Sequence, residues 1–300
     1  AGFLEAVRQA AEESAGAPVL QRIQQGRELY PNYVPALEAG AGLAERLEDF
    51  RAAVELLARL EEARPGDLGV LRRHAAAAWR ARSPEAEPVL RRAVDAMPRD
   101  AELLEWLGRT RLLRGDRREA YDLLQRSLDV KPDQTDLWWI TADLARALND
   151  EPGERRSLRE ALNREPGRAD RRARFVALSL AAGDGNAVRR ALEEAESLPA
   201  EELAVIEQYA IAWEKLNEPA RAMTYWEKSI TLQPEFEKGH VSVARLHAAR
   251  GAWEDSLGAS LRGLERLPAS AGLHLARARA LKELGRLQEA RRALGEAVQA

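Results

Sequence analysis

Apolar positions recur along this chain in two alternating groups, and each group has the spacing of one helix face. The clearest segment covers residues 101–132. Seven of its positions carry the pattern: Leu104, Leu107, Gly108 and Arg111 on a first helix, then Ala120, Leu124 and Ser127 on a second. Between them, Gly115 is suited to ending the first helix and Asp116 to capping the second. Gly108, Ala120 and Ser127 are small enough to let the two helices approach closely. The pattern therefore predicts a helix–turn–helix unit.

Prolines repeat this unit along the chain at intervals of 33 to 35 residues. They are Pro31, Pro65, Pro98, Pro132, Pro166, Pro199, Pro234 and Pro268. Proline cannot continue a helix, so each one turns the chain into the next unit. A fixed period of this length is typical of a solenoid, in which each unit buries its apolar face on its neighbour. We predict one array with units at about 1–32, 33–66, 67–99, 100–133, 134–167, 168–200, 201–235, 236–269 and 270–300.

Over essentially its whole length the chain resembles the tetratricopeptide repeat (TPR) family. Later units keep the pattern, with Leu158 and Ala161 in one and Ala222 and Trp226 in another. The resemblance implies an all-α, right-handed superhelical solenoid of about nine helix–turn–helix repeats with a long concave groove. In this family the first helix of each repeat, helix A, lines that groove, and the second, helix B, lies behind it.

Several positions depart from the pattern. Positions are counted within each repeat, so that Ala101 is position 1 and Leu104 position 4. Arg172 stands at position 4, where the neighbouring repeats carry apolar or aromatic side chains, and His74 stands at position 8, which is occupied by the small Gly108 in the clearest repeat. Pro84 falls inside a turn, and residues 149–153 predict a longer break between helices A and B. The repeat is therefore irregular at these positions.

Composition narrows the range of functions. Alanine, leucine, arginine and glutamate dominate, aromatic residues make up 5%, and cysteine is absent. The chain therefore forms no disulfide and no cysteine-ligated metal site. The absence of cysteine fits both a periplasmic and a cytoplasmic protein, with the periplasm slightly favoured. No signal peptide and no apolar run of about 18 residues is found, so we expect no membrane insertion by this segment. The ends of the sequence suggest a piece cut from a longer protein.

The histidines are the one candidate metal set. His240 and His247 lie seven residues apart on one helix face, at positions 4 and 11, and His274 repeats position 4. Zinc usually takes three or four protein ligands, and these positions belong to the core of helix A. We therefore interpret the histidines as packing residues, and we expect no enzyme activity, no cofactor and no metal.

The functional hypothesis rests on the positions of helix A that lie outside the core pattern. In the family, groove contacts come chiefly from positions 2, 5, 6, 9, 12 and 13 of helix A. Trp79 occupies one of these positions in this chain. The candidate partner-binding residues are Arg72, Glu105, Trp106, Arg109, Asp136, Trp139, Asp143, Arg146 and Arg174. Tryptophan and arginine are enriched as anchors of protein interfaces. The alternative is that the tryptophans fill gaps between helices. The asparagines with which some family members hold a partner's carboxyl terminus are absent.

Charge is uneven along the array. Residues 155–174 hold eight arginines against three acidic residues, and residues 191–238 hold eleven glutamates against four basic residues. Such runs are either solvated helix faces or a docking surface that orients a partner. We do not expect nucleic acid to bind, because the acidic segment would repel phosphates.

The resemblance implies a protein–protein interaction scaffold. The leading version is the TPR region of a bacterial exopolysaccharide secretion or cell-envelope assembly that recruits a soluble modifying enzyme. One alternative is the substrate-recognition region of a glycosyl- or sulfotransferase. Another is direct polysaccharide binding, with Trp106 and Trp139 as stacking platforms.

Overall fold

A computed structural model describes residues 33–198 and 202–300, and every regular element in these two stretches is a helix. The described elements are α1 (Val34–Arg46), α2 (Phe50–Ala63), α3 (Leu68–Arg80), α4 (Ala86–Ala96), α5 (Ala101–Leu113), α6 (Arg117–Val130), α7 (Thr135–Ala147), α8 (Glu151–Arg164), α9 (Ala169–Ala181), α10 (Gly185–Ala195), α11 (Leu203–Lys215), α12 (Pro219–Leu232), α13 (Glu237–Ala249), α14 (Trp253–Arg266), α15 (Ala271–Glu283) and α16 (Leu287–Gln299). The all-α prediction is confirmed. The predicted first repeat lies outside the described residues.

The chain divides into two compact units, Ala1–Asp150 and Glu151–Ala300. The first contains α1 to α7 and the second α8 to α16. Within each unit, successive helices pack against one another, and some helices also contact the next but one, as α3 with α5 and α13 with α15 do. This neighbour-to-neighbour contact is the arrangement of a solenoid. The fold is therefore an α-solenoid of TPR-like helical repeats, as the period predicts.

A residue in the left-handed conformation ends each odd-numbered helix. These residues are Glu48, Arg82, Gly115, Asn149, Gly183, Asn217, Gly251 and Gly285. Gly115 has φ 86°, a value that glycine adopts without steric cost. Asparagine tolerates this region better than most residues. The predicted glycine stop of helix A is thus confirmed at Gly115, and other residues take the same backbone conformation in the repeats that lack glycine.

The longer break predicted at residues 149–153 is wrong. Helix α7 ends at Ala147 and α8 begins at Glu151, so the turn is as short as the one around Gly115. Asn149 adopts the left-handed conformation with φ 57°. Pro152 falls in the first turn of α8, where a missing N–H costs no helical hydrogen bond. Proline therefore starts this helix instead of extending the loop.

Two other local predictions have mixed outcomes. Pro84 does fall inside a turn, since residues 81–85 separate α3 from α4. Asp116 lies at the predicted N-cap of α6, but its side chain makes no capping hydrogen bond. Its carboxylate lies 3.8 Å from the guanidinium of Arg111 instead. At the small position 8, a Cβ added to Gly108 would come within 2.8 Å of Leu124. The predicted close approach of the two helices is therefore confirmed there.

Side chains at position 4 of helix A tie each of several repeats to the proline before it. Trp138, Arg172, His240 and His274 are all buried, and each donates an N–H to the carbonyl oxygen of the proline six residues earlier. The donor–acceptor distances are 2.8, 2.7, 2.9 and 2.9 Å. Helical side chains lean towards the N-terminus, which brings position 4 over the inter-repeat turn. The same position therefore both fills the core and fixes the turn.

We predict that Trp138→Phe lowers the free energy of unfolding by about 1–2 kcal/mol, because it removes the indole donor to Pro132 and some buried area. Urea denaturation followed by circular dichroism measures this loss. The control is Trp253→Phe on α14, which removes the same atoms from a half-buried ring facing the Arg279 guanidinium. An equal or larger loss in the control would contradict the proposed role of the hydrogen bond.

Candidate partner-binding surface

All candidate partner-binding residues except Arg174 lie on three first helices of successive repeats in the first unit. Arg72 is on α3, Glu105, Trp106 and Arg109 are on α5, and Asp136, Trp139, Asp143 and Arg146 are on α7. Helices α3 and α5 contact each other directly. The repeat therefore brings the α3 and α5 candidates onto adjoining helices.

Trp106 is half-buried and packs against a core cluster that includes Leu103 and Leu107. Trp79 on α3, also half-buried, packs against the same cluster. Part of each ring thus packs against the core and part is exposed. The gap-filling and partner-binding hypotheses for the tryptophans are therefore compatible. Trp79 also occupies a groove position of the family pattern, although it is not among the candidate residues. Trp139 is half-buried on α7, one repeat further along the chain.

Arg72 links α3 to the start of α5. Its Nε donates to Asp100 at 2.7 Å, and its Nη2 donates to Glu102 at 2.5 Å. Asp100 also caps α5, where it accepts from the backbone N–H groups of Glu102 and Leu103. The hydrogen bond that Arg72 donates to Asp100 raises the pKa of its guanidinium above its ordinary value. This arginine is therefore held in one position between two repeats.

On α5 itself, Arg109 donates to Glu105 at 2.7 Å across one helical turn. On α7, Asp136, Asp143 and Arg146 are exposed. The sequence pattern predicts charged candidates at these positions but does not show that Arg72 and Arg109 are paired with carboxylates. The candidates thus comprise half-buried aromatic rings and arginines fixed by carboxylates on α3 and α5, and more exposed charged residues on α7.

Arg174 lies in the second unit, on α9, and holds a carboxylate that is buried. Its Nε and Nη2 donate to the two oxygens of Glu154 at 2.8 and 2.7 Å. The Glu154 side chain is 3% exposed. The hydrogen bond to Glu154 raises the pKa of Arg174. Two parallel hydrogen bonds to a planar carboxylate give a strong and directional pair.

We predict that Arg174→Ala lowers the free energy of unfolding by about 3 kcal/mol, because it leaves the Glu154 carboxylate buried without this partner. The double variant Arg174→Leu/Glu154→Leu should recover most of the loss. Denaturant titration measures both. The control Arg168→Ala removes an arginine that is 3.7 Å from Asp170 with both side chains about half exposed, and about 1 kcal/mol or less is expected. A similar loss in Arg168→Ala would contradict the prediction.

The two charged segments pair with each other and with their neighbours inside the second unit. Four such pairs are Arg155–Asp184, Arg172–Glu194, Arg189–Glu218 and Arg221–Glu193, at 3.4, 3.2, 2.8 and 3.2 Å. Three of these pairs join α8 with the start of α10 or α10 with α12, and the Arg172–Glu194 pair joins α9 with α10. Many charged side chains of these two segments therefore form ion pairs within the solenoid.

The histidine rings at position 4 pack as the sequence predicts, since His240 and His274 are buried and bonded to proline carbonyls. His247 is 3.9 Å from Asp255. Among residues 33–198 and 202–300, no group of three or more potential ligands is placed to hold a metal ion. None of the helices in these stretches has the length and apolar character needed to cross a membrane.

We predict that a chelator such as EDTA leaves the melting temperature unchanged, because a ring nitrogen of both His240 and His274 is already engaged by a carbonyl. Differential scanning fluorimetry with and without chelator measures this. A fall of several degrees that added zinc reverses would show that the histidines bind a metal.

No protein-family model matches the chain, and no curated protein matches it. Solved structures with a similar backbone include a MamA protein, with 15% identity over 55% of this chain and 90% of that one and a TM-score of 0.48. Pseudomonas aeruginosa pilF is 19% identical over 67% of this chain and 90% of that one, with a TM-score of 0.41. The APC/C Cut9–Hcn1 structure is 14% identical over 94% of this chain and 56% of that one, with a TM-score of 0.37. Likenesses at this level say nothing about function.

Proposed function

We propose that this chain is a protein–protein interaction scaffold that binds a partner segment along the first helices of the first unit. The observation that carries the proposal is the pair of half-buried tryptophans, Trp79 and Trp106, on the contacting helices α3 and α5. Aromatic side chains that keep part of their surface exposed are preferred anchors for a protein partner.

The charges around these rings support the same proposal. Arg72 and Arg109 are already held by carboxylates, so little side-chain entropy is lost when a partner docks against them. The exposed residues Asp136, Asp143 and Arg146 on α7 provide both signs of charge, which would set the direction of a bound segment. Arg174 remains a predicted contact in the second unit.

We further propose that the partner is a soluble modifying enzyme of a bacterial exopolysaccharide secretion or cell-envelope assembly. The support is an analogy to export proteins that carry such repeats, together with the absence of cysteine. Substrate recognition for a glycosyl- or sulfotransferase, or direct polysaccharide binding, remains the alternative. A glycan array separates direct polysaccharide binding from protein binding, because only the former gives a signal with purified chain and glycan alone.

We predict that Arg146→Glu and Trp139→Ala reduce capture of the partner, measured by quantitative mass spectrometry of pull-downs and then by calorimetry with the purified partner. A lost anchor costs about 2 kcal/mol, or roughly thirtyfold in affinity. Arg146 is exposed, so Arg146→Glu should leave the melting temperature unchanged. The matched control is Arg118→Glu on α6, a helix B residue whose side chain is 70% exposed.

Trp106→Ala and Trp79→Ala are expected to weaken binding and also to lower stability, because both rings contact the core cluster. Binding that survives Arg146→Glu, Trp139→Ala and Trp106→Ala in folded protein would contradict the proposal. Loss of binding in Arg118→Glu as well would mean that general charge, and not this surface, attracts the partner.

A further inference from the structure

A small cavity in the second unit is surrounded by arginines. It has a volume of about 190 Å³ and lies among α8, α9 and α10. Arg159, Arg172 and Arg190 line it, one from each helix, together with the buried ring of Phe175. All of these residues belong to the same compact unit. The solenoid therefore brings three arginines from separate helices to one cavity.

Arg172 is the buried member of this group, with 1% of its side chain exposed. Its Nη2 donates to the carbonyl of Pro166 at 2.7 Å, and its Nη1 donates to the carbonyl of Ala191 at 3.0 Å. Its Nε is buried and has no hydrogen-bond partner. A buried donor left unpaired is costly, and proteins rarely retain one without a reason. An acceptor in the cavity would satisfy it.

The carboxylates that line the cavity are already engaged. Asp184 caps α10 by accepting from the backbone N–H of Ala187 at 3.1 Å, and its second oxygen lies 3.4 Å from Arg155. Glu194 pairs with Arg172 at 3.2 Å. These contacts leave the cavity with an excess of positive charge.

The two rim arginines are only weakly paired. Arg159 lies 3.9 Å from the carboxylate of the adjacent Glu160, and the Nε of Arg190 donates at 3.4 Å to the carbonyl of Asn186. A second cavity of about 170 Å³ beside the first is also lined by Arg159, together with Arg155 and Arg156. The positive rim therefore continues on α8.

We propose that this cavity binds a single tetrahedral oxyanion, a phosphate or sulfate group, between Arg159, Arg172 and Arg190. Guanidinium groups match such anions in geometry and charge, and a group with several acceptor oxygens can reach all three arginines. The site takes an isolated anionic group and not a nucleic-acid backbone, because Asp184, Glu194 and the acidic segment 191–238 flank it. It lies in the other unit from the proposed partner surface and does not depend on that proposal.

The test uses inorganic phosphate and inorganic sulfate as separate probes, at constant ionic strength set with sodium chloride. The readout is the Nε–Hε NMR signal of Arg172, assigned from its disappearance in Arg172→Lys. We expect a saturable shift with one or both probes, and the stronger probe identifies the group. Arg159→Gln and Arg190→Gln should each weaken binding about tenfold or more, as expected for the loss of a charge-assisted hydrogen bond.

The matched control is Arg291→Gln, an exposed arginine on α16 in the same unit, which should leave the affinity unchanged. Calorimetry supplies a second measurement if Arg172→Lys does not fold, since both rim variants change exposed side chains. The proposal is overturned if chloride alone produces the same shift, if neither probe saturates, or if Arg159→Gln and Arg190→Gln bind as tightly as Arg291→Gln does.

Discussion

Burial of each helix against the helices of the next repeat is the constraint on which this structure depends. A single pair of helices has too little apolar surface to be stable alone. In the first unit, Leu103, Leu104 and Leu107 of α5 join Leu90 and Val94 of α4 in one cluster. Apolar contacts are not directional, whereas the hydrogen bonds from position 4 to the proline carbonyls are. Stability is thereby shared along the chain, and no single core dominates.

Ion pairs between neighbouring repeats are the second feature of this arrangement. Arg73 pairs with Glu45, Arg189 with Glu218 and Arg245 with Glu214, over sequence separations of 28, 29 and 31 residues. Exposed pairs of this kind contribute little individually. They nevertheless fix long side chains, so a binding surface made of these helices presents charges whose positions are already set.

The two proposed sites depend on different features of the same repeat. On α3 and α5, tryptophans share their area between the core and the surface, which suits a protein segment with apolar side chains. Between α8 and α10, a buried arginine replaces the usual side chain at position 4 and reaches a cavity as well as the proline carbonyl. The regular positions build the fold, and the departures from them provide the chemistry. A solenoid accommodates both because each repeat contacts only its neighbours.

The sequence by itself determined the helical class, the period and the glycine stop of helix A, because these depend on local spacing and on the backbone preferences of proline and glycine. It also identified the histidines at position 4 as packing residues. The packing of the helices was needed to show that Arg72 and Arg174 are paired with carboxylates, that Trp79 joins Trp106 at one cluster, and that the Nε of Arg172 lacks a partner. These contacts join residues about twenty to thirty positions apart, and they depend on how successive helices are offset. Hydrophobic spacing shows which face of a helix is buried but not which side chain of the next helix lies opposite.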